Sequence, residues 1–182
     1  MLEEVDQDIL DQAIDGDLEA FSNLYEKYIE RIYNYVYYRI GNTHDAEDVT
    51  AKVFHRALGR ITVYKKMGVP FSAWLYRIAH NLVANWHRDK SRKKEIQLEE
   101  DVELIPSSQQ PEILIVKNQE NEALINVIRK FSPERQQLII LKFVEKLSNE
   151  EIGMIMGRSE GAIKSLYHRT LLALKKEYKH IE

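Results

Sequence analysis

The chain of 182 residues is long enough for one large domain or two small ones, and its formal net charge at pH 7 is −3. It contains no cysteine, which excludes disulfides and thiolate metal sites and fits a reducing cytosol. The acidic N-terminus lacks the regions of a signal peptide, and no apolar run reaches membrane-spanning length. We therefore expect a cytoplasmic protein without a membrane span.

Charge is unevenly distributed along the chain. Acidic residues crowd the first twenty positions and residues 99–103, whereas basic residues crowd residues 88–94 and 164–179. This distribution fits a chain that binds both DNA and a protein, and it equally fits a plain soluble protein with patchy charge.

Two helices are predicted in the first part of the chain. An apolar stripe begins after Gly16 and Asp17 and ends at Gly41; it comprises Phe21, Leu24, Tyr25, Tyr28, Ile32, Tyr35 and Val36. Thr43 is the predicted cap of the next helix, whose first turns carry Asp45, Glu47 and Asp48. These acids fit either simple interaction with the helix dipole or a docking patch for a basic partner surface.

The segment 61–70 is predicted to be a loop that contains Tyr64, Lys65 and Lys66. Paired lysines beside an aromatic ring suit an extruded base and its phosphates. The residues alone favour a plain surface loop.

A third helix is predicted over residues 71–94. Its apolar face comprises Phe71, Trp74, Leu75, Ile78, Ala79, Leu82 and Trp86. Its other face carries Arg77, His80, Asn81 and Arg88. Arginine and asparagine suit bidentate contacts to bases, and the basic end suits phosphates. Taken alone, the pattern favours an amphipathic helix with a solvated basic end.

Residues 95–117 are predicted to be a linker, because their acidic, Pro-, Ser- and Gln-rich composition buries little apolar surface. They separate a domain of residues 1–94 from a domain of residues 118–182. In the second domain, Ser132 followed by Pro133 predicts a helix start. Strand-like alternation is absent, so the expected fold is all-α, with two small helical bundles joined by a flexible acidic and polar linker.

Residues 147–175 predict a helix-turn-helix in the second bundle. Ser148 and Glu151 form a Ser-x-x-Glu capping box, Gly157 ends the first helix, and Ser159 caps the second. One side of the second helix carries Ile163, Leu166, Tyr167, Thr170 and Leu174, and the other carries Gly161, Lys164, Ser165 and His168. Small, hydrogen-bonding and positive residues suit a recognition helix in the major groove. The spacing alone fits an ordinary helical hairpin equally well.

Taken in order, these segments resemble the extracytoplasmic-function sigma factors, the two-domain members of the main bacterial sigma family. The similarity is carried by DAEDV at 45–49 with Phe54, FSAWLYRIAHNLVANWHR at 71–88, the polar linker, SPERQQLIILKF and LSNEEIGMIMGRSEGAIKSLYHR. It extends over nearly the whole chain.

The resemblance implies three binding surfaces. Docking on the clamp of the large RNA polymerase subunit is implied for Asp45, Glu47, Asp48, Val49 and Phe54. Reading of the minus-ten promoter element, where a base is captured outside the stack, is implied for Tyr64, Lys65, Lys66, Arg77, His80, Asn81, Asn85 and Arg88. Reading of the minus-thirty-five element is implied for Ser159, Glu160, Gly161, Lys164, Ser165, His168 and Arg169. The linker resembles a segment that threads through the polymerase.

The implied function is transcription initiation by an alternative, signal-responsive sigma factor. Its implied partners are core RNA polymerase, promoter DNA and an anti-sigma factor. The chain departs from the common family pattern at several positions. Ala51 and Lys52 replace Gln-Glu, Gly153 replaces Ala, and Asn85 replaces Asp. Arginines are replaced by His80, Leu166 and Leu171.

Two other functions fit the residues. A helix-turn-helix transcriptional regulator with a helical sensing domain should bind duplex DNA alone. A helical adaptor that binds only proteins should give no DNA crosslinks at Lys164 or Arg88. Neither an enzyme nor a cofactor is expected, because there is no catalytic constellation or phosphate-cradling loop, and His80 lacks a metal-binding partner at helical spacing.

Overall fold

The computed structural model describes residues 7–64, 68–99 and 125–178, and over these ranges the chain forms helices and no strands. The first part contains α1 (Gln7–Ile14), α2 (Leu18–Ile40), α3 (Thr43–Leu58), α4 (Ile61–Tyr64) and α5 (Phe71–Glu99). In the second part, residues 125–129 are helical. They are followed by α6 (Pro133–Ile139), a π-helical turn (Ile140–Val144), α7 (Asn149–Met156) and α8 (Glu160–Tyr178). The all-α prediction is confirmed.

The ends of the early helices follow local chemistry. The Asp17 carboxylate accepts hydrogen bonds from two backbone amides in the first turn of α2. Gly41 ends that helix in the left-handed region, with φ of 71°. The predicted cap of α3 was wrong by one residue, because the side chain of Asn42 accepts from the Asp45 amide at 2.9 Å and Thr43 is already helical.

Three elements differ from the sequence-based expectation. Helix α1 was not predicted; it packs on α2 through Leu10, Ala13 and Ile14. The segment 61–70 begins with the single helical turn α4 rather than as a loop. Helix α5 continues to Glu99, because the added residues EIQLE are mostly good helix formers. The rest of the predicted linker, 100–117, lies outside the described residues.

The helix-turn-helix is built as its sequence predicts. The Glu151 amide donates to the Ser148 hydroxyl at 3.1 Å, and the Ser148 amide donates to the Glu151 carboxylate at 2.6 Å, which completes the capping box. Gly157 ends α7 with φ of 66°. The Ser159 hydroxyl then accepts from the Ala162 amide at 3.2 Å and so caps α8. These bonds fix the angle at which α8 leaves the turn.

The two parts of the chain pack against each other. Helix α5 contacts α7, and α2 contacts the π-helical turn. Buried apolar side chains of both parts form one continuous cluster, to which Tyr35 and Leu75 contribute from one side and Leu138 and Ile155 from the other. The residues that the sequence assigns to separate domains therefore share a core in this form of the protein.

Gly153, where the family commonly has alanine, is a position of close approach. A Cβ at this position would lie 2.6 Å from the carbonyl oxygen of Arg158. We expect Gly153→Ala to lower the free energy of unfolding by about 1–3 kcal/mol, because the turn backbone must move. Urea denaturation measures this change. Gly161→Ala is the control, because open space surrounds that residue; equal losses in both variants would contradict the explanation.

Candidate nucleic-acid and polymerase interfaces

The predicted recognition face of α8 is exposed. Ile163, Leu166 and Thr170 are buried beneath the helix, as the periodicity predicts. The predicted minus-thirty-five readers are all at the surface: Ser159, Glu160, Gly161, Lys164, Ser165, His168 and Arg169. The structure thus brings these seven residues together on one accessible surface.

The chemistry of this face suits a polyanion. Gly161 and Ser165 are small enough to allow a close approach to the helix backbone. Lys164 and His168 supply positive or titratable groups, and the α8 N-terminus adds the positive end of its dipole. The Lys164 ammonium lies 2.9 Å from the Glu160 carboxylate. The Lys164 side chain is 61% exposed and the Glu160 side chain is 50% exposed. Such an exposed pair contributes little stability and is readily exchanged for a phosphate contact.

The predicted docking residues of α3 divide into two groups. Asp45, Glu47 and Asp48 reach the surface, and we call these three the acidic docking surface. Val49 and Phe54 are buried instead. The Phe54 ring packs edge-on against Tyr25, with 4.8 Å between ring centroids. Val49 and Phe54 therefore support α3 from beneath in this form and are not exposed for contact.

Lys52 lies beside the acidic docking surface. It lines a groove between α3 and α5 together with Asp45, Trp86 and Asp89. The Lys90 ammonium lies 4.5 Å from the centroid of the Trp86 ring, along the same groove. Positive charge thus adjoins the acids here, where the family commonly has Gln-Glu.

The predicted minus-ten residues are only partly accessible. Asn81 and Arg88 are exposed, and Arg88 donates to the Asn85 side chain at 2.8 Å. Tyr64 is packed: its hydroxyl donates to the Val69 carbonyl at 2.9 Å, and its ring lies 5.1 Å from that of Trp74. Lys65 and Lys66 lie outside the described residues. The aromatic ring expected to hold a base is thus engaged within the protein.

Arg77 and His80 face the second part of the chain. The Arg77 guanidinium donates to the carbonyls of Met154 and Ile155, at 2.5 and 3.2 Å, near the end of α7. The His80 Nδ1 lies 3.4 Å from the Tyr35 hydroxyl. A hollow of about 300 Å³ is lined on one side by Arg77, His80 and Asn81 and on the other by Gln137 and the end of α7. The helix-turn-helix therefore covers part of the predicted minus-ten face.

Glu145 was not anticipated from the sequence. Its side chain is only 4% exposed and follows the π-helical turn. Arg31 Nε lies 3.1 Å from the carboxylate, and the Tyr76 hydroxyl donates to it at 2.7 Å. Burial, and then the Glu145 charge, raise the pKa of Tyr76, so this hydroxyl remains a donor. The partners lie 114 and 69 positions away in sequence, so no local pattern marks the pairing.

His80 should make the stability of the protein depend on pH. Burial, and then the charge of Arg39, lower the pKa of His80, and His87 is shifted the same way for the same reasons. Because the pKa of His80 is lower in the folded state, the neutral side chain contributes stability that is fully present above the ordinary histidine pKa of about 6.5. This contribution is lost as the pH falls through the lowered value.

We therefore expect the melting temperature to fall between about pH 7.5 and about pH 5.5. His80→Gln should flatten this dependence more than His87→Gln, because His80 is the less exposed of the two. His44→Gln is the control, since His44 is a fully surface residue with a 92% exposed side chain. A pH profile that is the same in all three variants and the parent would contradict the assignment.

Two features are absent from the described ranges 7–64, 68–99 and 125–178. No helix there is both long and apolar enough to cross a bilayer. Nor do three or more His, Asp or Glu side chains in these ranges gather as a metal site requires.

Two segments of the chain match sequence models of a known family. Residues 24–93 match Sigma-70 region 2, and residues 121–174 match Sigma-70, region 4. The first match spans α2 to α5, and the second spans the helix-turn-helix. Their order along the chain is the order of the predicted docking, minus-ten and minus-thirty-five residues.

Relatives match over most of the chain. It is 35% identical over 167 residues to the ECF RNA polymerase sigma factor BldN of Streptomyces coelicolor, with 92% of this chain and 63% of BldN covered. It is 30% identical over 180 residues to the ECF RNA polymerase sigma factor SigW of Bacillus subtilis, with 93% of this chain and 95% of SigW covered.

Solved structures show the same fold. CnrH, in complex with the cytosolic domain of CnrY, matches with a TM-score of 0.75 at 18% identity, over 97% of this chain and 99% of CnrH. RpoE of Bartonella quintana, in complex with the anti-sigma factor NepR, matches with a TM-score of 0.63 at 20% identity, over 89% of this chain and 98% of RpoE. On the family matches and the similarity to SigW, the chain belongs to the extracytoplasmic-function sigma factors of bacterial RNA polymerase.

Proposed function

We propose that this protein is an alternative sigma factor that binds core RNA polymerase and directs it to a set of promoters. The observation that carries the proposal is the exposed face of α8, in a chain that also has the acidic docking surface. One surface suits a polyanion and the other suits a basic protein. The protein acts in the cytoplasm, where polymerase and DNA are found, and its role is binding rather than catalysis.

Each surface has a role in this proposal. The acidic docking surface binds the polymerase clamp. The exposed α5 residues Asn81 and Arg88 and the half-buried Asn85 bind the minus-ten element, together with Arg77 and His80 once these are uncovered. There, protein contacts offset the cost of unstacking a base, a few kcal/mol in general. The α8 face reads the minus-thirty-five element. Residues 1–94 and 118–182 form the two functional domains, with 95–117 between them.

An anti-sigma factor is part of the proposal. RpoE, which shares this fold, was solved with the anti-sigma factor NepR. A protein that covers the acidic docking surface or the α5 face of this chain should block initiation. Its binding should therefore compete with binding of core polymerase.

The proposal is tested by reconstitution. Genomic fragments are selected for binding to the chain alone, to core polymerase alone, and to the two together. We expect specific enrichment only with both proteins. Equal enrichment by the chain alone would instead indicate a conventional helix-turn-helix regulator, and no enrichment under any condition would indicate an adaptor that binds only proteins.

Lys164 should contribute one phosphate contact. Lys164→Ala should weaken binding of the holoenzyme to a selected promoter and should reduce the slope of affinity against salt concentration by roughly one. If Lys164 instead contacts a base edge, specificity should relax at one position, at a cost of about 1–3 kcal/mol. Lys27→Ala, an exposed lysine on α2, is the control; an unchanged salt slope and specificity in Lys164→Ala would exclude both contacts.

A further inference from the structure

We infer that the free protein holds itself in a closed, inactive form, in which the helix-turn-helix lies on the minus-ten face of α5 and buried Glu145 latches the two parts together. The inference rests on the proposed function, since that function gives the covered face its role. It assigns to the chain itself an inhibitory contact that core polymerase or DNA must open.

Glu145 is the centre of the latch. Its carboxylate, 4% exposed, belongs to the second part of the chain, whereas Arg31 and Tyr76, which bind it, belong to α2 and α5. A buried carboxylate is tolerated only while its charge and hydrogen-bonding capacity are matched. Loss of a partner of Glu145, or reversal of the charge at this position, therefore favours separation of the two parts. After separation, water solvates the carboxylate or the side chain that replaces it.

Two arginines clasp the parts reciprocally. Arg77 of α5 donates to the carbonyls of Met154 and Ile155, near the C-terminal end of α7. In the opposite direction, Arg129 of the second part donates to the Ile40 carbonyl, at the C-terminal end of α2, at 2.6 Å. Each cation thus meets the negative end of a helix in the other part. Both bonds can be exchanged for bonds to water or phosphate when the parts separate.

Closure affects the two DNA-reading faces differently. Arg77 and His80 face the second part of the chain, whereas Lys164, Ser165 and His168 remain exposed on α8. The guanidinium of Arg77 cannot bind the end of α7 and the minus-ten DNA at once. The closed protein is therefore competent for upstream contacts alone, and promoter opening requires release of the latch.

A permanent shared core is the alternative explanation for the packed parts. It predicts that breaking the latch unfolds the protein, whereas a latch between independently stable parts predicts separation with the helices retained. Interfaces between domains of one chain are generally modest in area and partly polar, so the two domains can separate without unfolding. The distance between the two parts, measured together with helical content, separates these outcomes.

The test measures the distance between the parts in the full-length free protein. The chain has no cysteine, so spin labels can be placed at Asn23→Cys on α2 and Lys175→Cys on α8, both exposed positions. We expect one narrow distance distribution in the parent. Glu145→Lys should broaden it toward longer distances with helical content unchanged. Glu26→Lys, the same charge change at an exposed position of α2, should leave it narrow.

Arg129→Ala is the second variant, because it removes one clasp at an exposed residue without placing a new charge in the interface. It should also populate longer distances. Both variants should bind core polymerase faster than the parent, by about tenfold for Glu145→Lys, since less of the protein is then held in the incompetent form. Unchanged distances in both variants, or loss of helical content in both, would overturn the inference. Neither distance result depends on polymerase or DNA, so the proposed function stands or falls separately.

Discussion

Ser165→Glu should remove protection of the upstream promoter element by the holoenzyme while leaving the protein folded. Ser165 is exposed on the recognition face, one residue after Lys164 and three before His168. A carboxylate in the major groove faces several phosphates, and each repulsion is worth about 1 kcal/mol at 4 Å even in bulk water. We therefore expect promoter affinity to fall about ten- to hundredfold, most clearly at low salt, where screening is weakest.

Footprinting at the upstream element measures this loss. Ser22→Glu is the matched control, because it makes the same change at an exposed position of α2. Thermal melting should be nearly unchanged in both variants, since neither side chain is buried. Full protection with Ser165→Glu would place α8 outside the groove and would return residues 147–175 to the role of a structural hairpin.

Asp48→Arg should strongly weaken binding of core polymerase. Asp48 is exposed on α3 beside Asp45 and Glu47, and the reversal places an arginine against a basic partner surface. Juxtaposed like charges at an interface cost several kcal/mol, so a loss of tenfold or more is expected. If the acids served only the helix dipole, the change would instead lower stability by a few tenths to about 1 kcal/mol and leave binding intact.

A pull-down on core polymerase, run beside a thermal melt, separates these two roles. Glu26→Arg provides the control, since it reverses an exposed charge on α2 outside the acidic docking surface. Lys52→Glu should change binding of core polymerase in the opposite direction, because it restores the negative charge that the family commonly carries at this position. If Asp48→Arg binds core polymerase as well as Glu26→Arg does, core polymerase does not bind the acidic docking surface.

The helix-turn-helix could be predicted closely because its determinants are local. The capping box at Ser148 and Glu151, the left-handed Gly157 and the cap at Ser159 each involve residues within four positions of one another. The two faces of α8 follow from a single helical period. Family resemblance added the proposed role of the face, since the spacing alone fits an ordinary helical hairpin equally well.

The minus-ten surface could be predicted less well, because tertiary contacts decide which side chains are available. Arg77 lies on the polar face of α5, yet its partners are backbone carbonyls 77 and 78 positions away. Tyr64 is part of a cluster with Phe71 and Trp74. Val49 and Phe54 follow the inner periodicity of α3 and are buried. A role inferred by position along the chain does not specify whether a residue contacts a partner itself or supports another residue that makes the contact.

Glu145 illustrates a feature beyond local pattern. In the sequence it is one acid in a charged stretch, KFVEKLSNEE, with no spacing that sets it apart. Only the fold brings Arg31 and Tyr76 to it and excludes water. The end of helix α5 at Glu99 is a different case, because it follows local helix propensity rather than the change in composition at residue 95.

Transcription in vitro with purified core polymerase tests the central claim most directly. The template carries a promoter selected by the reconstituted holoenzyme, and transcripts are mapped at their 5′ ends. We predict defined initiation downstream of the selected element with the chain and core together, none with either alone, and a loss with Ser165→Glu and with Asp48→Arg. Transcription by core polymerase that is unaffected by the chain would contradict a role in initiation.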